Sequence, residues 1–194
     1  AQLHGFELWR DNVNAAGGIK AGDKRYKVRF VTYDDQSVGT RVQQLYTRLI
    51  QSDKVQFLFS PYTAGLVATA AVVAEQYGSL MVCVGSSEPR TFALGNKSLF
   101  QIYTPSNFYA SDSLAVLKAK DPHAKVALVF LDSSFPKTVA SAARDEAKAQ
   151  GLEIVLDESY APGQTDFSAI INKITASKAD ALLGGGFYPD SSTL

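Results

Sequence analysis

Short, continuous apolar runs alternate along the chain with longer segments whose apolar residues recur at helical spacing. The runs are typical of parallel strands buried on both faces, and the stripes are typical of helices that pack on such a sheet. The predicted strands cover residues 26–33, 55–59, 80–84, 99–103, 125–131, 153–160 and 181–183. The predicted helices cover the segment before Gly17, the stripe from Val42 to Ile50, residues 63–77, 107–118 and 137–150, and a segment that Asp166 caps.

The strand–helix rhythm occurs twice, and the two series are separated near residues 101–106. This doubling predicts an α/β fold of two Rossmann-like lobes, each with a parallel sheet covered by helices. We expect lobe one over residues 1–102 and lobe two over residues 103–194. Because the first helix begins in mid-pattern and only a turn follows the last strand, we also expect truncation at both ends. The first strand of lobe one and the C-terminal part of lobe two are then missing.

The composition argues against two classes of function. Lysine plus arginine and aspartate plus glutamate number 19 each, so the formal net charge is zero, and no basic run suits nucleic acid. The longest apolar stretch, residues 70–74, is too short to span a bilayer. The single cysteine, Cys83, lies in an apolar run, where we expect a buried strand residue and not a reactive thiol.

The residues that most catalytic sites need are not placed for catalysis. His4 falls on a helix and His123 in a loop, away from the carboxyl ends of the predicted strands where parallel sheets bind ligands. No dinucleotide fingerprint follows a strand, and no phosphate-binding loop motif is present. Asp34 and Asp35 could hold a metal, although such a pair more often caps a helix or lines a turn. We therefore expect a binding protein, not an enzyme, with no cofactor and no metal.

Residues 60–65 place a hydroxyl and free backbone amides at the start of an alanine-rich helix. The first amides of a helix have no internal partner and carry partial positive charge, so this turn suits a carboxylate. Ser86 and Ser87, which follow the next predicted strand, can converge on the same anion. The alternative interpretation is that Thr63 only caps its helix.

Several segments together resemble a known family. Residues 5–19 (GFELWRDNVNAAGGI) are similar to a signature of the periplasmic leucine/isoleucine/valine-binding proteins, and further motifs match in order along the chain. These motifs are the Asp34-Asp35 strand end, residues 55–63 with a Pro-Tyr-Thr turn, GSSEP at 85–89, GQTDF at 163–167 and GGFYP at 185–189. The family comprises type I solute-binding proteins of ABC transporters, whose two lobes close on a small molecule.

The resemblance implies a location, a partner and a set of ligand contacts. It implies a periplasmic or extracellular protein, with its signal peptide not in this chain, that presents an amino acid or aromatic acid to an ABC transporter membrane permease. The first-lobe contacts carried over by motif are Tyr62, Thr63, Ala64, Ser86 and Ser87. The second-lobe contacts carried over are Phe108, Phe135 and Phe187.

Two departures from the family pattern bear on the ligand. Phe135-Pro136 stands where many relatives have Tyr-Gly, and Phe187 stands where amino-acid binders often have tyrosine. Phenyl rings in place of phenols weaken the expectation of an aliphatic amino acid and suit a flat or aromatic acid. Two other functions stay open on the sequence alone. These are the ligand-sensing domain of a receptor or LacI-type transcription regulator, and a nucleotide-dependent α/β enzyme.

Overall fold

The computed structural model describes residues 2–194 as two parallel sheets and a small hairpin, with helices between the strands. The first unit contains α1 (Gln2–Ala15), β1 (Ile19–Ala21), β2 (Lys24–Tyr26), α2 (Gly39–Gln51), β3 (Leu58–Phe59), α3 (Ala64–Gln76), β4 (Met81–Cys83), α4 (Pro89–Ala93) and β5 (Leu99–Gln101). The second unit contains a 3-10 turn (Ser106–Phe108), α5 (Ser111–Lys120), β6 (Lys125–Leu131), α6 (Ser134–Ala149), β7 (Glu153–Tyr160), α7 (Ser168–Ser177), β8 (Ala181–Gly185) and α8 (Tyr188–Thr193).

Each unit is built on a three-stranded parallel sheet. The strand order is β3-β4-β5 in the first unit and β7-β6-β8 in the second. The predicted α/β class, with its doubled parallel sheet, is therefore confirmed. The division of the chain into lobes at residues 102 and 103 stays a prediction.

The central strand β6 is buried on both faces, which explains its continuous apolar sequence. Val129 packs on one face with Ile170 of α7, and Leu128 packs on the other face with Ala140 of α6. Successive side chains of a strand point to opposite faces, so odd and even positions of β6 enter separate cores.

The first unit has one core between its sheet and the helices α2 and α3. Val42 and Val67 from the two helices pack with Met81 of β4, and all three are fully buried. Tyr46 of α2 donates its hydroxyl to the carbonyl of Phe59 at 2.7 Å, and burial raises the pKa of that phenol. This bond fixes the carboxyl end of β3, from which the loop at residues 60–63 departs.

The strand predicted over residues 26–33 is wrong. Tyr26 ends β2 of the hairpin, and residues 27–33 have no ladder partner among the residues that the structure describes. The side chain of Asn14 instead bonds the backbone N–H and C=O of Val28, and Phe30 packs near Phe6 and Phe59. Alternation reports which side chains face inward, but it does not show that a neighbouring strand supplies hydrogen bonds.

Three smaller predictions, on Cys83, on the two histidines and on the Asp34–Asp35 pair, are confirmed. Cys83 is fully buried in β4, and His4 lies on α1 and His123 in a turn, where both are exposed. The carboxylates of Asp34 and Asp35 each accept a bond from the backbone N–H two residues on, so the pair lines a turn. Within residues 2–194, no helix combines the length and the apolar character needed to cross a membrane.

Candidate functional site

A cavity of about 450 Å³ lies between the two units, at the carboxyl ends of their parallel strands. It is where ligands bind in open parallel sheets. Its lining comes from the loops after β3, β4, β6 and β8, together with the segment that joins the units. The lining residues are Tyr62, Thr63, Ala64, Gly65, Gly85, Ser86, Ser87, Tyr103, Tyr109, Ser133, Ser134, Phe135 and Phe187.

The cavity brings together seven of the eight contacts that the resemblance implied. Tyr62, Thr63, Ala64, Ser86 and Ser87 form the wall of the first unit, and Phe135 and Phe187 belong to the wall of the second. These residues are far apart in sequence, so only the packing of the two units makes them neighbours.

Phe108 is the exception, because it lies outside the lining of this cavity. Its side chain is 58% exposed at the end of the 3-10 turn, and it is not among the residues that line the cavity. The next residue, Tyr109, lines the cavity instead, with its ring edge-on to Phe135 at a centroid distance of 5.8 Å. The motif located the turn, but the tight turn geometry decides which aromatic ring faces inward.

Thr63 does not act as a simple helix cap. It precedes α3, but its hydroxyl makes no cap bond, and its backbone has φ +80° and ψ 146°. That region is strained for a β-branched residue. Its N–H donates to the carbonyl of Gly85 at 3.1 Å, which leaves the amides of Ala64 and Gly65 as the first free donors of α3. The interpretation of Thr63 as only a cap is therefore wrong.

Gly85 allows the two loops of the first wall to touch. A Cβ atom built on this glycine falls 1.8 Å from the carbonyl oxygen of Pro61, a backbone atom that cannot move aside cheaply. The loops after β3 and β4 therefore meet main chain to main chain. Sequence reasoning included Gly85 in a strand-end loop but did not identify this packing role.

The two predicted serines of this wall are buried and differently engaged. The hydroxyl oxygen of Ser86 accepts a bond from the N–H of Glu88 at 3.1 Å, so its own proton is available to a ligand. The carbonyl of Ser87 accepts from the N–H of Ser106 at 2.8 Å, which ties this loop to the joining segment. Ser60 does not line the cavity, because its hydroxyl bridges the N–H of Val84 and the carbonyl of Pro61.

The opposite wall carries two phenyl rings beside Ser133 and Ser134. The rings of Phe135 and Phe187 lie 6.1 Å apart between centroids with planes tilted by 30°. The N–H of Phe187 donates to the carboxylate of Asp190 at 3.2 Å. Burial, and next the charge of Asp190, raise the pKa of nearby Tyr160. The hydroxyl of Tyr160 lies so close to Gly186 that a Cβ atom at this glycine would clash with it. Phe187 is thus placed by a tightly packed turn.

Besides Gly65 and Gly85, four lining residues did not figure among the implied contacts. Ser133 and Ser134 follow β6, and the rule that ligands bind at strand ends could have identified them. Tyr103 lies two residues after the carboxyl end of β5, whereas Tyr109 follows the 3-10 turn, to which the strand-end rule does not apply. Ser133 precedes α6 without capping it, and its buried hydroxyl has no protein partner among the described residues.

The lining favours binding of an anion attached to an apolar body. The first wall offers the free amides at the start of α3, the hydroxyls of Ser86 and Ser87 and the ring of Tyr62. The second wall offers the rings of Phe135 and Phe187 beside the hydroxyls of Ser133 and Ser134. No charged side chain is among the thirteen residues that line the cavity. Across residues 2–194, no cluster of three or more His, Cys, Asp or Glu is arranged to hold a metal ion.

Comparisons with known sequences agree on one family. A family model described as periplasmic binding protein matches residues 1–194. The chain is 30% identical over 195 residues to the Leu/Ile/Val-binding protein homolog 8 of Brucella abortus, covering 96% of this chain and 47% of that protein. It is 28% identical over 200 residues to an amino acid binding protein of Pseudomonas aeruginosa, covering 98% and 51%. The chain thus spans about half the length of these relatives.

Solved structures share the fold. The branched-chain amino acid transporter substrate-binding protein LivJ of Streptococcus pneumoniae, in complex with isoleucine, has a TM-score of 0.83 and 27% identity. That match covers 96% of this chain and 52% of the other. An ABC transporter solute-binding protein of R. palustris, in complex with 4-hydroxybenzoate, has a TM-score of 0.81 over 92% of this chain and 48% of the other. At 22% identity, the second match carries the fold alone.

Proposed function

The chain belongs to the periplasmic binding protein family, of the branched-chain amino acid ABC transporter type, and on that premise we propose that the protein is an extracytoplasmic solute-binding protein. It captures a small carboxylate-bearing ligand between its two units and delivers it to an ABC transporter membrane permease without altering it chemically. We place the division between the lobes at residues 102 and 103, which lies between the end of the first sheet at Gln101 and the start of the second at Lys125.

The observation that carries this proposal is the pairing of two unlike walls across one cavity. The carboxylate of the ligand lies at the amides of Ala64 and Gly65 and accepts hydrogen bonds from the hydroxyls of Ser86 and Ser87. Each charge-assisted hydrogen bond stabilises the complex by about 1.5–3 kcal/mol net. The partial positive charge at the start of α3 adds to the attraction.

The body of the ligand lies against the rings of Phe135 and Phe187. Ring stacking adds about 0.5–1.5 kcal/mol per pair beyond the burial of apolar area, so the second wall favours a flat aromatic acid. The similar proteins include one solved with isoleucine and one solved with 4-hydroxybenzoate, so both classes of acid belong in the test.

Calorimetric titration of the full protein with isoleucine, leucine, benzoate and 4-hydroxybenzoate tests the proposal. Ser86→Ala and Phe187→Ala each remove a contact from one wall. We expect each variant to raise the dissociation constant of the tightest-binding ligand tenfold or more, which is about 1.4 kcal/mol or more of binding free energy.

Two matched variants serve as controls. Phe108→Ala removes a phenyl ring outside the cavity, and Ser52→Ala removes an exposed hydroxyl, so both should bind like the parent. If Ser86→Ala and Phe187→Ala also bind like the parent, the cavity is not the ligand site. If none of the four acids binds the parent, the ligand class is wrong.

A further inference from the structure

We propose that Glu88 is a positioning residue that fastens the two units together in the closed form. This inference rests on the proposed function, because it concerns how the same cavity closes. The three residues that carry it are Glu88 in the loop after β4, and Ser134 and Thr138 one turn apart on α6. We call them the Glu88 contact.

The Glu88 contact joins the two units through both oxygens of one carboxylate. The hydroxyl of Thr138 donates to Oε1 of Glu88 at 2.6 Å, and the hydroxyl of Ser134 donates to Oε2 at 3.0 Å. A distance of 2.6 Å is typical of a charge-assisted O–H···O⁻ bond. Because α6 belongs to the second unit and Glu88 to the first, any separation of the units breaks both bonds.

The burial of Glu88 makes these bonds energetically important. Its side chain is 3% exposed, and none of the ion pairs among the described residues includes it. The hydroxyls of Thr138 and Ser134 are the hydrogen-bond partners of this carboxylate. Removing one partner from a buried charge costs more than the pair contributes, because the remaining charge is then unsatisfied. A closed form with an incomplete Glu88 contact is therefore disfavoured.

The Glu88 contact is continuous with the ligand cavity. The N–H of Glu88 donates to the hydroxyl oxygen of Ser86, and Ser134 itself lines the cavity. The loop that presents Ser86 to a ligand therefore also presents Glu88 to α6. A movement that displaces Glu88 from α6 displaces the anion wall with it.

In an open form, the polar groups of the Glu88 contact still have hydrogen-bond partners. The hydroxyl of Thr138 lies 3.3 Å from the carbonyl of Ser134 and can return to this bond within α6. The carboxylate of Glu88 then becomes hydrated. The contact therefore sets the balance between two satisfied states, and it favours the closed one only when both hydroxyls are in place.

Thr138 offers the sharpest test, because it does not line the cavity. Thr138→Val keeps the shape of the side chain and removes the hydroxyl, whereas Thr138→Ser keeps the hydroxyl. Two readouts apply to the full protein: the dissociation constant of whichever of the four acids binds the parent, and the distance between spin labels on Ser52→Cys and Asn172→Cys, one on each unit. Both label sites are exposed, and Cys83 is buried.

We expect Thr138→Val to raise the dissociation constant of the acid about tenfold and to lower the closed fraction that the labels report. Thr138→Ser should keep the affinity and the closed fraction of the parent. In the background of Glu88→Gln, which removes the buried charge, Thr138→Val should change the affinity less than about threefold. Parental affinity and closed fraction in Thr138→Val, or an equal loss in both backgrounds, would overturn the inference.

The label distance separates this inference from the proposed function. If none of the four acids binds the parent, the proposed ligand class fails while the Glu88 contact is still tested in ligand-free protein. There Thr138→Val should shift the distance distribution toward longer values relative to the parent and Thr138→Ser. Identical distributions in the three proteins would overturn the Glu88 contact independently of any ligand.

Discussion

Thr63 combines a strained backbone with a place in the cavity wall. A φ of +80° with a ψ of 146° is a conformation that glycine adopts easily and that a β-branched residue adopts at a cost of about 1–3 kcal/mol. The N–H of Thr63 donates to the carbonyl of Gly85, and Thr63 is one of the residues that line the cavity. The side chain is therefore present at a position where the backbone alone favours glycine, which fits a role in binding.

We expect Thr63→Gly to stabilise the protein and to lower its affinity for the ligand. Relief of strain exceeds the greater chain entropy that glycine adds to the unfolded state, so the free energy of unfolding should rise by about 1 kcal/mol. Loss of the side chain should lower the affinity for the acid several-fold. Chemical denaturation and calorimetry measure the two effects. Thr47, half-buried inside α2, provides the control, because Thr47→Gly should lower stability and leave affinity unchanged. Lower stability in Thr63→Gly would contradict the strain argument.

At the scale of single elements, the start of α7 depends on Asp166. Its carboxylate accepts the N–H of Ser168, the first residue of the helix, at 2.9 Å, from one position before the N-cap residue Phe167. This backbone bond is the main cause that lowers the pKa of Asp166. Because the folded pKa lies below the unfolded one, the carboxylate stabilises the helix fully above about pH 4. That contribution is lost as the pH falls through the lowered pKa.

We expect Asp166→Ala to fray the first turn of α7 at neutral pH. The amide of Ser168 should then exchange its hydrogen faster, because its bond to the carboxylate is gone. In the parent, the same amide should lose protection as the pH falls below about 4, whereas the variant should lack this step. Hydrogen exchange followed by NMR measures both. Asp145→Ala, on the exposed face of α6, controls for the loss of one negative charge. Unchanged exchange in Asp166→Ala would contradict the capping role.

The elements that the sequence predicted best are those whose pattern and hydrogen bonds agree. Strands β6 and β7 occupy the predicted residues, because each is long and β6 is buried on both faces. Strand β3 is shorter than its apolar run, and residues 27–33 form no ladder. A ladder depends on a second strand elsewhere in the chain, which no local pattern contains. The short helices α4 and α8 were not predicted for a related reason, since five or six residues carry too little periodicity.

At the scale of the whole molecule, the site follows from topology more than from any single motif. The carboxyl-end rule and the resemblance together identified both walls, because parallel strands of both units end at one cavity. They did not identify the backbone of Thr63, the approach of Gly85 to Pro61, or the inward turn of Tyr109. These features depend on distances between loops that are remote in sequence. The buried carboxylate of Glu88 has no local signature either, since its partners lie 46 and 50 residues away.

Because the two walls lie on different units, a ligand that touches both must hold the units together. We expect the tightest acid, at 100 times its Kd, to raise the free energy of unfolding by about 2.7 kcal/mol and to lower the radius of gyration measured by X-ray scattering. Phe187→Ala keeps the anion wall but removes a ring from the other, so it should show smaller stabilisation and compaction at the same acid concentration. Phe108→Ala, with its ring outside the cavity, should match the parent. Stabilisation without compaction in the parent would mean that the acid binds to one unit alone, and the cavity between the units would then not close on its ligand.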